Sequence, residues 1–219
     1  MKGFILFISL GFLIGLISFN KTELDTKNTT KNFKSKGYTD EEIDYFNEIT
    51  LKNELNFKIR LAPAKFKSDI KIYLYGDYEP YMLDEVKMVI SDLNNIIIPI
   101  ELSIVNNRNE SNVVMYFGDY QTFISDNPDL KDISKLKNCD GFFITKSRGN
   151  EIKSSRVFIN IPNQDSANDL RDCVREELTQ QLGFFNDGNI PESCFYQKEN
   201  KILKFSEIDV KLIKMLYND

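Results

Sequence analysis

Glu176-Glu177-Leu178-Thr179-Gln180-Gln181-Leu182-Gly183-Phe184-Phe185-Asn186-Asp187 is the stretch on which the reading of this chain turns. Laid out as a helix at about 100° per residue, the preceding positions Ala167, Leu170, Cys173 and Val174 join Leu178 in one apolar stripe. Glu177 falls inside that stripe. Glu176 and Gln180 stand on its edge, one turn apart. A carboxylate in an apolar stripe is costly unless it is hydrogen-bonded or protonated. Glu177 is therefore either held by a structural donor or lines a cavity. Gly183 is the expected C′ residue of a helix running from Ser166 to Leu182.

Outward from this segment, helices and strands alternate. Thr39-Asp40-Glu41-Glu42 forms a capping box that opens a helix with Ile43, Phe46 and Ile49 on one side. Ile70 to Tyr75 is β-branched and aromatic and ends at Gly76-Asp77, which predicts a strand. Pro80 starts a helix through Asn95, with Met82, Val86, Val89, Ile90 and Leu93 at helical spacing. Ile100 to Val105 and Val113 to Phe117 read as strands on either side of a polar turn, Asn106 to Asn112. A loop is expected as far as Asn138. Gly141 to Thr145 and Val157 to Ile161 read as a hairpin joined by SRGNEIKSS, so one of the pair should run antiparallel at the sheet edge. Ser206-Glu207-Ile208-Asp209 caps a last helix carrying Leu212, Met215 and Leu216. The natural architecture is α+β, a mixed and mostly parallel sheet with helices packed on it.

Composition narrows the chemistry. The 219 residues are 42% apolar and 28% charged, which suits one folded domain with a real core. Histidine is absent, so this chain contains no Ser-His-Asp triad, no Cys-His dyad and no histidine-ligated metal. A net charge of −5 lacks the basic footprint of a nucleic-acid binder. The three cysteines have no zinc-ribbon spacing.

The N-terminus reads as an export signal. Lys2 precedes an uncharged run from Gly3 to Phe19. That run is longer than the usual apolar core of about 7–15 residues and shorter than the roughly 20 of a spanning helix. Residues 1–19 are thus a cleaved signal peptide or a membrane anchor. A polar tether covers residues 20–37, and the folded domain covers 38–219. The domain should face an extracytoplasmic, oxidising space, touching the membrane only through its N-terminal segment. There, two of Cys139, Cys173 and Cys194 can pair, and Cys139 with Cys173 is the pair we carry forward.

The segment at 176–187 resembles the extended zinc motif H-E-x-x-H-x-x-G-x-x-H-D of the metzincin metallopeptidases. Glu177, Gly183 and Asp187 match the second-position Glu, the turn Gly and the final Asp. Glu176, Gln180 and Asn186 stand where the three zinc-binding histidines would be. From Thr39 onward the chain also resembles DUF2927, a bacterial family of exported proteins grouped with zincin-like peptidases. That family carries E-E-L-T-Q-x-L-G-x-x-N-D, matched here by Glu176 to Asp187, and the closing Leu216-Tyr217-Asn218-Asp219 resembles its final helix. The resemblance implies a zincin fold: a twisted sheet with an antiparallel edge strand above a cleft, a long backing helix, and the motif helix below. It also implies a peptide in that cleft and places Phe195, in Pro191 to Tyr196, where working enzymes have the methionine of the Met-turn. Phe195 reads equally as an ordinary core aromatic.

In a working zincin two histidines one turn apart bind zinc, and the Glu between them activates the bound water. One carboxylate and two amides suit zinc poorly. Oxygen donors suit Ca²⁺, Mg²⁺ or Mn²⁺ better, though this set is sparse even for them. A metal-free site, a hard cation and zinc all stay open. Three functions follow. One is a peptidase-type hydrolase with Glu177 as general base. Another is a non-catalytic pseudopeptidase that binds an extended peptide or protein along its edge strand. The third is a structural envelope protein with no ligand. Asp77 to Pro80 and Asp126 to Asp129 read as turns, and Lys153-Ser154 as an ordinary loop pair.

Overall fold

The computed structural model describes residues 31–52, 59–130, 136–196 and 202–219. The apolar run Gly3 to Phe19 and the tether as far as residue 30 lie outside them. Among the described residues no helix is long and apolar enough to cross a membrane.

The chain divides into two units, one ending at Asp44 and one running from Tyr45 to Asp219. The first holds the start of α1 (Asp40–Leu51). Its capping box forms as the sequence predicts. Glu42 N–H donates to Thr39 Oγ1 at 3.2 Å, and Thr39 N–H donates to Glu42 Oε2 at 2.9 Å. Lys34 pairs with Asp40 at 2.5 Å in the same unit.

The second unit contains β1 (Ile70–Gly76), α2 (Pro80–Ile96), β2 (Leu102–Ile104), β3 (Val113–Gly118), α3 (Tyr120–Asp126), β4 (Gly141–Arg148), β5 (Glu151–Asn160), α4 (Ala167–Gln180) and α5 (Glu207–Tyr217). The strands form one mixed sheet in the order β2-β1-β3-β5-β4. β4 alone is antiparallel, and it lies at the edge. This is the edge strand expected from the hairpin.

Alternation along the strands gives the sheet two different faces. Ile70, Ile72 and Leu74 of β1, Val113, Met115 and Phe117 of β3, and Val157 and Ile159 of β5 are buried on one face. Three helices lie together there: α4 packs on α2, β4 and β5, and α2 packs on β2 and α5. The opposite face carries an aromatic cluster of Tyr116, Tyr120, Phe123, Phe142 and Phe158. Tyr116 and Phe158, opposite one another in the ladder, stack with centroids 6.0 Å apart.

Three expectations are corrected. The segment after β3 is not all loop, because Asp119 accepts Thr122 N–H at 3.0 Å and starts α3. The hairpin strands are longer than their apolar cores, and only Gly149-Asn150 separates them, so most of SRGNEIKSS is strand. Among the described residues no disulfide forms. The pairing of Cys139 with Cys173 is not made, because Cys139 packs against the aromatic cluster on one sheet face while Cys173 sits in α4 on the other.

Candidate functional site

α4 starts where Ser166 accepts Asp169 N–H, and it ends at Gln180 with Gln181 as its cap. Gly183 stands two residues beyond that cap rather than next to it. Its φ of 138° is costly for any residue with a Cβ, and an added Cβ would collide with the Ala64 carbonyl. Gly183 thus lets the chain leave the helix against the backbone of Ala64.

Glu177 is 7% exposed and lies under the first residue of β4. A Cβ built on Gly141 would be 2.9 Å from Glu177 Oε1 and 2.7 Å from Cys173 Sγ. The helix stripe therefore presses its carboxylate and its thiol against the one strand residue without a side chain. Burial pushes the Cys173 thiol well up, and the nearby carboxylates of Glu177, Glu176, Asp140 and Asp172 push it the same way. Cys173 is a protonated, unreactive thiol at neutral pH.

The three ligand-equivalent positions behave differently from one another. Gln180 is buried, and its Nε2 donates to Glu176 Oε1 at 3.3 Å and to Asp187 Oδ1 at 2.8 Å. One amide thus bridges two carboxylates and uses both of its hydrogens. Asn186 turns away, with its Nδ2 donating to the Asp187 carbonyl at 2.8 Å. The structure brings Glu176, Gln180 and Asp187 together and leaves Asn186 to its neighbour. Phe185 and Asn186 are fixed from behind by their N–H groups, which donate to the Ile49 carbonyl at 2.7 and 3.2 Å.

These residues do not fit a metal ion. The Gln180 nitrogen, a donor with no lone pair to give, occupies the space between the two carboxylates. Among the described residues no three His, Cys, Asp or Glu side chains converge closely enough to hold one.

Aromatic residues stand beside this segment. Phe143 of β4 lies 6.1 Å from Phe185, and the Arg60 guanidinium sits 4.4 Å from the Phe185 centroid. Ile59 and Leu61, on either side of Arg60, are 76% and 69% exposed. Phe195 is fully buried and packs on Phe184 with centroids 4.6 Å apart. Its turn is tied down by the buried Asp209 of α5, which accepts Ser193 Oγ–H at 2.7 Å and Cys194 N–H at 3.2 Å.

Sequence reading missed two supports of this site. Gly141 is one, and an isolated glycine in a strand is the signal for close backbone approach. The other is Arg175, which is fully buried although the helix layout puts it off the apolar stripe. Its Nη1 donates to Asp92 at 3.0 Å, its Nη2 lies 3.7 Å from Glu85, and its guanidinium covers Phe205 at 4.6 Å. Both acids belong to α2, so the motif helix is locked to the backing helix by a buried charge cluster. Burial raises the Glu85 carboxyl against the pull of Arg175 and Arg171.

The family model described as "Protein of unknown function (DUF2927)" matches residues 39–219. No curated protein matches the chain. Two solved structures of myroilysin are similar in shape. One has 12% identity and a TM-score of 0.44, covering 70% of this chain and 85% of that one. The other has 13% identity and a TM-score of 0.47, covering 70% of this chain and 94% of that one. With its match running over 39–219, through Glu176 to Asp187 and on to the last residue, this chain belongs to the DUF2927 family.

Proposed function

We propose that residues 38–219 form a zincin-like domain that works as a non-catalytic binding module, holding an extended peptide along β4 in an extracytoplasmic compartment. The observation that carries this reading is the open edge of β4 above the motif helix. Among the described residues β4 pairs with β5 alone. Asn160 N–H donates to the Asp140 carbonyl at 2.8 Å, which sets the alternation of the ladder. Gly141, Phe143 and Thr145 then turn their N–H and C=O groups to the open side. A peptide added there gains main-chain hydrogen bonds and passes over Glu177, Phe143 and Phe185.

The Gln180 bridge supports the non-catalytic half of the reading. In the zincin mechanism the metal polarises the carbonyl and activates water, and here an amide donor fills that place. A second reading, a hydrolase with Glu177 as general base, draws on the burial of Glu177 beneath the edge strand.

Glu177→Gln separates the two. Assay the full chain and the variant with a fluorogenic peptide library and with labelled peptides in anisotropy. A binding module keeps its peptide affinity within about twofold and shows no turnover. Turnover that the substitution abolishes sinks the non-catalytic reading.

A further inference from the structure

The two ends of β4 carry opposite charge, and we infer from this that the cleft selects extended peptides by charge order: acidic residues first, an alternating apolar centre, basic residues last. The inference rests on the strand-addition reading above. At the hairpin tip, Lys146 and Arg148 of β4 and Lys153 of β5 are exposed. Two described acids are near it and both are engaged: Glu151 by Lys153 at 2.6 Å, with that lysine first and Lys67 and Arg148 with it holding its carboxyl below the usual range, and Asp129, on the Lys146 side, by Arg156 at 2.8 Å. The tip is net positive. At the other end Asp140 is exposed, and Glu176 and Asp187 are half-buried. The Gln180 amide that bridges those two carries no charge of its own.

Seven steps along a strand at about 3.4 Å each separate Gly141 from Arg148, roughly 24 Å, so a peptide of about eight residues touches both ends. Antiparallel pairing is the more stable ladder. A strand added antiparallel to β4 begins beside Arg148 and ends beside Gly141. Its first residues meet Lys146 and Arg148, and its last meet Asp140, Glu176 and Asp187. Between them, side chains on the helix-facing side fall on Phe143 and Phe185 and beside the exposed Ile59 and Leu61, which favours apolar residues at alternate positions. Complementary charges at a rim set orientation and choice of partner more than raw affinity.

The test uses the full chain and two labelled peptides. One has two Glu, an alternating Val-Thr run and two Lys. The other is its reversed sequence. Anisotropy at low salt should show the first binding roughly tenfold tighter, with the preference shrinking as salt rises. The double substitution Lys146→Glu with Arg148→Glu lies on the exposed tip and should erase or invert the preference while circular dichroism stays unchanged. Equal binding of both peptides overturns the charge order and leaves strand addition standing. Tighter binding of the reversed peptide also overturns it. Binding of neither peptide overturns strand addition itself, and the charge order with it.

Discussion

Gly141 of the edge strand and Glu177 of the motif helix meet so closely that a methyl group on Gly141 would lie 2.8 Å from Glu177 Cγ and 2.9 Å from its Oε1. Cys173 Sγ, on a short side chain, blocks the same space at 2.7 Å. Gly141→Ala must therefore push β4 off α4 or force Glu177 out of its place. Urea denaturation should show a loss of about 1–3 kcal/mol. Gly141→Ser should cost as much, because bulk and not polarity is the obstacle.

Gln180→Glu converts the bridge into a third carboxylate between Glu176 and Asp187. Two hydrogen bonds are lost and like charges crowd together, so at neutral pH in chelator the variant should melt lower, by about 1–3 kcal/mol. Three carboxylates suit a hard cation. Millimolar Ca²⁺ or Mn²⁺ should restore part of the loss in the variant and leave the native chain unmoved. An ion-dependent rise in the native melt would contradict the assignment of Gln180 as the bridging donor.

Arg175→Leu removes the cation from a buried cluster and leaves Glu85, which is 2% exposed, short of its main countercharge. Breaking a buried pair from one side costs about 3–5 kcal/mol. Equilibrium unfolding should show that loss. The double substitution with Glu85→Leu should recover part of it, since the uncompensated carboxylate is then gone.

Tyr45 is buried below the loop that follows Asp187, where a Cβ on Gly188 would strike its ring. Burial pushes its hydroxyl up to about 12. The fold prefers the neutral phenol, so this contribution is complete below the ordinary tyrosine value and is lost as pH rises from 10 towards 12. Tyr45→Phe should remove about 2 kcal/mol of the alkaline decline between those values. Denaturation curves of both proteins at stepped pH will check it.

What could be read from the sequence was what depends on short range. The capping boxes at Thr39 and Ser206, the proline opening α2, and the β-branched runs of β1 and β3 all act within a few residues, and the structure has them in place. The antiparallel edge was legible because a hairpin is local. The outer halves of β4 and β5 were hidden, since Lys146, Ser147, Arg148 and Lys153 are polar and exposed yet hydrogen-bonded as strand. α3 is short and has no apolar period, so only its Asp119 cap could have marked it. At the site, a single-helix layout placed Glu177 correctly in the stripe. It could not show that α2 closes over the other side and buries Arg175, or which of the Gln180 amide atoms faces the carboxylates. Those depend on partners 83 residues away for Arg175 and seven for Gln180.

Asp209 has one further consequence. The same carboxylate accepts Ser206 N–H at 2.9 Å to cap α5 and Ser193 Oγ–H at 2.7 Å to hold the turn beneath Phe184. Neither element can open without uncapping the other. The amides of the Phe195 turn and of the first turn of α5 thus belong to one cooperative opening unit, and in native-state hydrogen exchange they share a single opening free energy despite their separation in sequence.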